Sequence, residues 1–306
     1  MSIFDRSLKS VLKRDWVDLR SRWLSHIPEI QPEGSGLAGG LNSIQGLEDL
    51  GSQALSAGEP VDRVDLPGVR EAVLHEGIFF LHKALHVIGV AETAAVNGMA
   101  TWSLGIAYQA SVFSARAVLC FLGIDIFEAN NKTIMIDCWT LGSIKKGARG
   151  VKEELRTVSV RNLGHDRPDH RALWRILQRA LRVARIDLWP ELAFSKLRNI
   201  DEGIFARQRN ALHYRSDFWV YEDLHSSLCP LNFGDLGQHK DVLAGERKDF
   251  SMTLGLLLAN LAAELMRDLC LSTNRLNREL ALVDQCLVEG RHPLLMDFRE
   301  SAALLG

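Results

Sequence analysis

Apolar residues recur along most of this chain at the three-and-four spacing of helices, so the successive segments read as helices separated by polar or glycine-rich breaks. Between residues 3 and 26, Ile3, Leu8, Val11, Leu12, Trp16, Leu19 and Trp23 follow that spacing, with the two tryptophans seven apart on one face. Pro28 and Pro32 end this segment. A long apolar helix is expected from Leu66 to Gly98, with Pro67 near its start. A second runs from Thr101 to Gly123 and is rich in Ala and Ser, as closely packed helix contacts tend to be. The stretch IDIFEANNKTIMIDCW carries β-type residues on either side of Asn130-Asn131 and predicts a small β-hairpin near 124–139. Helices are expected again at 143–158, 169–185 and 191–214, and Asp249–Glu289 reads as one long helix or two broken ones. The predicted class is mostly α, a helical bundle.

The breaks divide the chain. Residues 1–30 read as an N-terminal helix, 31–65 as a Gly/Ser-rich linker or mobile loop, 66–290 as the main helical domain and 291–306 as a C-terminal tail. No glycine run in the linker follows a strand, so the dinucleotide-binding fingerprint is not met. GSIKKGARG lacks the Gly-Lys-Ser/Thr ending of a phosphate loop, and no Gly-x-Ser-x-Gly elbow exists.

Composition narrows the class. Of 306 residues, 47% are hydrophobic and 24% charged, enough for one large core or two modest ones. No run reaches the ~18 consecutive apolar residues of a spanning helix, so no membrane is expected. The charged N-terminus has no apolar signal core. The five cysteines (Cys120, Cys138, Cys229, Cys270, Cys286) are scattered and form no CxxC pair, which fits a reducing, cytoplasmic setting. The net charge of −2 says little, but its distribution says more. From Lys145 to Arg185 twelve basic residues face four acids, a local balance of +8. From Pro28 to Glu76 nine acids face two arginines. A basic middle of this kind attracts polyanions locally.

Three constellations carry candidate chemistry. The first is FARQRNALHYRSDF, Phe205 to Phe218, in which Arg207, Arg209, Asn210, His213 and Tyr214 crowd one or two turns. Metal-free RNA cleavage needs a base for the 2′-hydroxyl proton, an acid for the leaving 5′ oxygen and a cation for the phosphorane. Histidine serves either proton role, its unperturbed pKa lying near ~6.5. Arginine's planar fork matches phosphate oxygens. One histidine does not easily play both proton roles, a shortage that two copies of the chain would remove. The plain alternative is a helix C-terminal turn, where His and Arg complement the dipole.

This stretch resembles the signature of the HEPN superfamily, helical nucleotide-binding and ribonuclease domains with an Arg, four to six residues, then a His. Arg207-Gln-Arg-Asn-Ala-Leu-His213 has a gap of five. Members often carry Asn directly after the arginine; here Gln208 follows Arg207, and Asn210 follows Arg209, so the choice of arginine stays open. Ala107–Ile124 also resembles the family's earlier helix. The resemblance covers roughly Ala91 to Asp268. It implies a HEPN-like bundle and metal-independent RNA cleavage at a homodimeric cleft, with Arg207 and His213 catalytic and Arg209, Asn210 and Tyr214 supporting. It further implies a toxin or defence setting, with a regulatory or antitoxin-like protein partner, and no cofactor. Some members only bind, so a non-catalytic RNA- or protein-binding module is the alternative.

The second constellation is HRALWRILQRALRVAR, where Arg171, Arg175, Arg179 and Arg182 recur at four, four and three, opposite Leu173, Leu177, Ala180, Leu181 and Ala184. Four arginines without an interleaved acid suit contact with an RNA backbone, and a plain solvated face is the alternative. The third is His75, His82 and His86, which fall on one helical stripe and give a metal enzyme as a third reading, against a hydrogen-bonded polar seam between helices.

Overall fold

The computed structural model describes residues 14–26, 61–65, 68–129, 132–138, 157–162, 170–185, 210, 250–270 and six positions between 276 and 285. These residues are mostly helical. The elements are β1 (Arg14–Asp15), α1 (Trp16–His26), β2 (Val61–Asp65), α2 (Val69–Val96), α3 (Ala100–Phe121), β3 (Ile124–Ala129), β4 (Lys132–Asp137), β5 (Thr157–Asn162), α4 (His170–Val183), β6 (Ala184–Arg185) and α5 (Phe250–Cys270). They belong to two compact units, Met1–Gly77 with Leu119–Ile186, and Ile78–Val118 with Asp187–Gly306.

The first unit holds the sheet. β3 pairs antiparallel with β4 from Ile124↔Asp137 to Ala129↔Lys132, and Asn130-Asn131 between them lie outside the described residues. The sheet does not stop there: its order is β2-β5-β4-β3, every pair antiparallel. Two expectations are corrected. Thr157-Val158 ends a predicted helix but begins β5, and Val61–Asp65 ends a predicted linker but is strand β2. Both segments place valines within runs too short for a helical repeat, where pairing with a neighbour rather than local propensity decides the state. Arg14-Asp15 is also strand, paired parallel with β6, so the predicted helix is interrupted there and α1 begins at Trp16; residues 3–13 lie outside the described residues. β4 is buried on both faces, from Thr133 to Asp137, as expected of an inner strand.

α1 buries the face the sequence assigns to it: Trp16, Leu19 and Trp23 are at most 2% exposed. The Trp23 indole donates to the Phe121 carbonyl at 2.8 Å. That carbonyl belongs to the last turn of α3, where helix carbonyls lose their intrahelical donors. Gly123 (φ +77°) then turns the chain into β3, and its carbonyl accepts from the Cys138 amide at 2.9 Å just past β4. The left-handed φ is why glycine stands here.

The second unit is a helical hairpin with a third helix on it. The C-terminus of α2 closes in a Schellman motif: Met99 N–H donates to Ala94 O, Gly98 N–H to Ala95 O, and Gly98 has φ +78°. α3 restarts at once, and Ser103 Oγ donates to Ala91 O at 2.8 Å across the hairpin. Small residues recur every fourth position on α3 (Ser103, Ala107, Ser111, Ala115) and on α5 (Gly255, Ala259, Ala263). They let backbones approach closely. Ser114 Oγ donates to Gly255 O at 3.1 Å, and a Cβ on Gly255 would lie 3.3 Å from the Ser111 nitrogen. Both α2 and α3 are long and apolar enough to cross a membrane by length and composition, although in α3 78% of that window is buried in protein, against 39% in α2.

Gly255→Val should therefore destabilise by about 1–3 kcal/mol through overpacking against α3. Gly89→Ala, in α2 with nothing within 4 Å of the new methyl, should stabilise by up to about 1 kcal/mol. Denaturant unfolding of both variants checks this pair, and a Gly255→Val variant as stable as wild type would contradict the close α3–α5 approach.

Candidate nucleic-acid interface

α4 divides as its sequence dictates. Leu173, Trp174, Ile176, Leu177, Ala180 and Leu181 are all buried, and Ala184 after them is too. The predicted apolar positions are thus all inside, and Trp174 and Ile176, which spacing alone did not single out, widen that face. On the other side Arg175 and Arg182 are exposed and Arg179 is half-buried. Arg171 is helical, but its side chain lies outside the described residues. At ~100° per residue Arg179 sits nearest the edge of the apolar arc, next to Ile176. Its Nε is buried without a hydrogen-bond partner, so the stem lies against protein. No acid occurs within His170–Val183, so no carboxylate of the helix itself offsets these charges. A face of this kind matches regularly spaced phosphates.

Of the Arg-His stretch only Asn210 is among the described residues, where it is helical and exposed. Arg207, Arg209, His213 and Tyr214 lie outside them. His75 and His82 are half-buried and His86 is exposed on α2. Seven residues separate His75 from His82, about 10 Å of helix rise, too far for both rings to reach one ion. Among the described residues no group of three His, Cys, Asp or Glu side chains is placed to hold a metal.

Two polar groupings escaped the sequence reading. In the first unit Arg70 is 4% exposed and its Nη2 donates to Cys138 O at 3.3 Å. On β3 and β4 of the same unit Asp125 and Asp137 are buried, and Cys120 Sγ donates to Asp125 Oδ1 at 3.5 Å. Cys120, Cys138 and Cys270 are buried thiols, none of them in a disulfide. Nothing in the pattern marks Arg70 as internal, since it opens a helix whose first turn also carries Glu71. In the second unit Phe80 and Phe113 stack at 6.2 Å between centroids. Lys83 Nζ lies 5.6 Å from the Phe113 centroid, and the Arg116 guanidinium 4.0 Å from that of Phe80. These are cation–π distances. Here a signal existed: each helix carries a cation three residues after a phenylalanine, the spacing that stacks neighbours on one face.

Stability should separate the internal arginine from the surface ones. Arg70→Met should cost about 1–3 kcal/mol by leaving a buried carbonyl without its donor. Arg175→Met and Arg182→Met should stay within about 0.5 kcal/mol of wild type. Chemical denaturation of the three variants checks this, and a large loss at Arg175 or Arg182 would make the arginine face a structural feature. Comparison with family models, with curated proteins and with solved structures finds no match for this chain.

Proposed function

We propose that this protein is a HEPN-like, metal-independent endoribonuclease. The observation that carries the RNA assignment is the acid-free face of α4, on which Arg175 and Arg182 are exposed beside the half-buried Arg179. The chemistry is assigned to FARQRNALHYRSDF, whose Asn210 is helical and exposed. In this reading His213 takes the proton from the RNA's own 2′-hydroxyl as that oxygen attacks the adjacent phosphorus. Arg207 stabilises the charge on the phosphorane, and a second copy's His213 protonates the departing 5′ oxygen. Arg209, Asn210 and Tyr214 hold the backbone in place. The products are a 2′,3′-cyclic phosphate and a 5′-hydroxyl.

Cleavage of an RNA pool should persist in excess EDTA, leave 2′,3′-cyclic phosphate ends and spare DNA, which has no 2′-hydroxyl. Arg207→Ala should abolish the maximal rate, and Arg209→Ala should mainly raise the half-saturating RNA concentration. Arg175→Ala should lower the salt slope of RNA binding by about one. DNA cleavage would contradict the mechanism. Salt-dependent RNA binding by an intact fold with no cleavage would leave a binding module in its place. A dead Arg209→Ala beside an active Arg207→Ala would mean that the site is the i, i+4 pair.

A further inference from the structure

We propose that the tip of the α2–α3 hairpin is a membrane-docking site, which enters the interfacial layer of a lipid bilayer. Three of the large hydrophobic side chains that the described structure leaves exposed lie at this one end of the second unit: Val96 at 82%, Met99 at 45% and Trp102 at 52%. They sit within seven residues of chain, and the Schellman turn at Gly98 fixes them at the bend. Large apolar side chains gathered at one exposed end mark a contact surface.

The occupant follows from charge and length. From Thr93 to Ala115 the chain has 23 residues without Asp, Glu, Lys or Arg. The exposed polar groups beside the bend, Thr93 and Asn97, are uncharged, and hydrocarbon demands that no charge accompany the apolar tip. Tryptophan at the bend suits the headgroup boundary, where its ring is buried and its N–H stays wet. Glu92 sets the depth: it precedes Asn97 by five residues, about 7.5 Å of helix rise. Surface-bound segments enter bilayers by about 5–10 Å, so the tip fits before Glu92 meets the acyl chains. Spanning is a different matter. α3 is already 78% buried in protein over its apolar window, and Lys83, Glu92 and Arg116 divide the hairpin. Shallow docking needs no change of fold.

Because the contact is apolar, it should be insensitive to headgroup charge and to salt, the opposite of phosphate binding by α4. The test is co-sedimentation of the full chain with phosphatidylcholine vesicles, and with vesicles containing phosphatidylserine, at low and high salt. Wild type should pellet with both lipids at both salt concentrations. The Val96→Glu/Met99→Glu double variant should need at least about tenfold more lipid, since carboxylates at the tip oppose insertion. Its melting temperature should match wild type, because both positions are exposed. Three results would overturn the proposal: no pelleting, pelleting that needs phosphatidylserine and fails at high salt, or a double variant that binds like wild type. Self-association of the wild type that the double variant loses, without vesicle binding, would assign the tip to a second copy instead and equally overturn it. None of these readouts depends on RNA cleavage.

Discussion

Burial of α3 is the constraint on which the rest depends. Its 22 residues are almost wholly uncharged, present small side chains every fourth position and leave only Trp102 and Gln109 exposed among the described side chains, so most of the helix must be covered by protein. Every other helix that touches it must either come close or supply a hydrogen bond to a group that water cannot reach. Gly255 of α5 does the first, with Ser114 Oγ on its carbonyl. Trp23 of α1 does the second, capping the Phe121 carbonyl. Gly98 and Gly123 bound the helix with left-handed turns and let it be entered from α2 and left into β3 within two or three residues. A buried helix therefore dictates where glycine must stand on either side of it.

The polar residues then separate into those held in the interior and those on exposed helix faces. Arg70, Asp125 and Asp137 are internal, and burial of a charged group without compensation is costly enough that such residues hold structure in place. Lys83 and Arg116 rest on phenylalanine rings. The arginines of α4 differ in kind: their helix buries one complete face of Leu, Ile and Trp, and the charge lies on the other. A helix this sharply divided anchors a cationic strip on a rigid support, which is what contact with a repeating polyanion needs.

Much of this was legible in the sequence because helix burial leaves a period. Trp16 with Trp23, and Leu173 with Leu177, Ala180 and Leu181, are read straight from 3.6-residue spacing. The sheet was only half visible. β3 and β4 announce themselves by β-type residues around Asn-Asn, but β5 and β2 are short, contain charged residues and are defined by partners far away in the chain. Their identity lies in pairing, which no local window contains. The internal charges were invisible for a related reason: Asp125 stands between Ile124 and Ile126, and only the sheet's being covered on both faces makes it buried. Of the proposed catalytic stretch, Asn210 alone is among the described residues, so its chemistry rests on residue type and spacing.

We propose that Arg207 and His213 cleave RNA at a site shared by two copies of the chain. Subunit mixing tests it most directly. His213→Ala chains are titrated into wild type at fixed total protein, after exchange of subunits and with the melting temperature of the variant matched to wild type. A shared site predicts activity that falls faster than the wild-type fraction. Activity strictly proportional to that fraction, or a monomer by light scattering at the assay concentration, would contradict it.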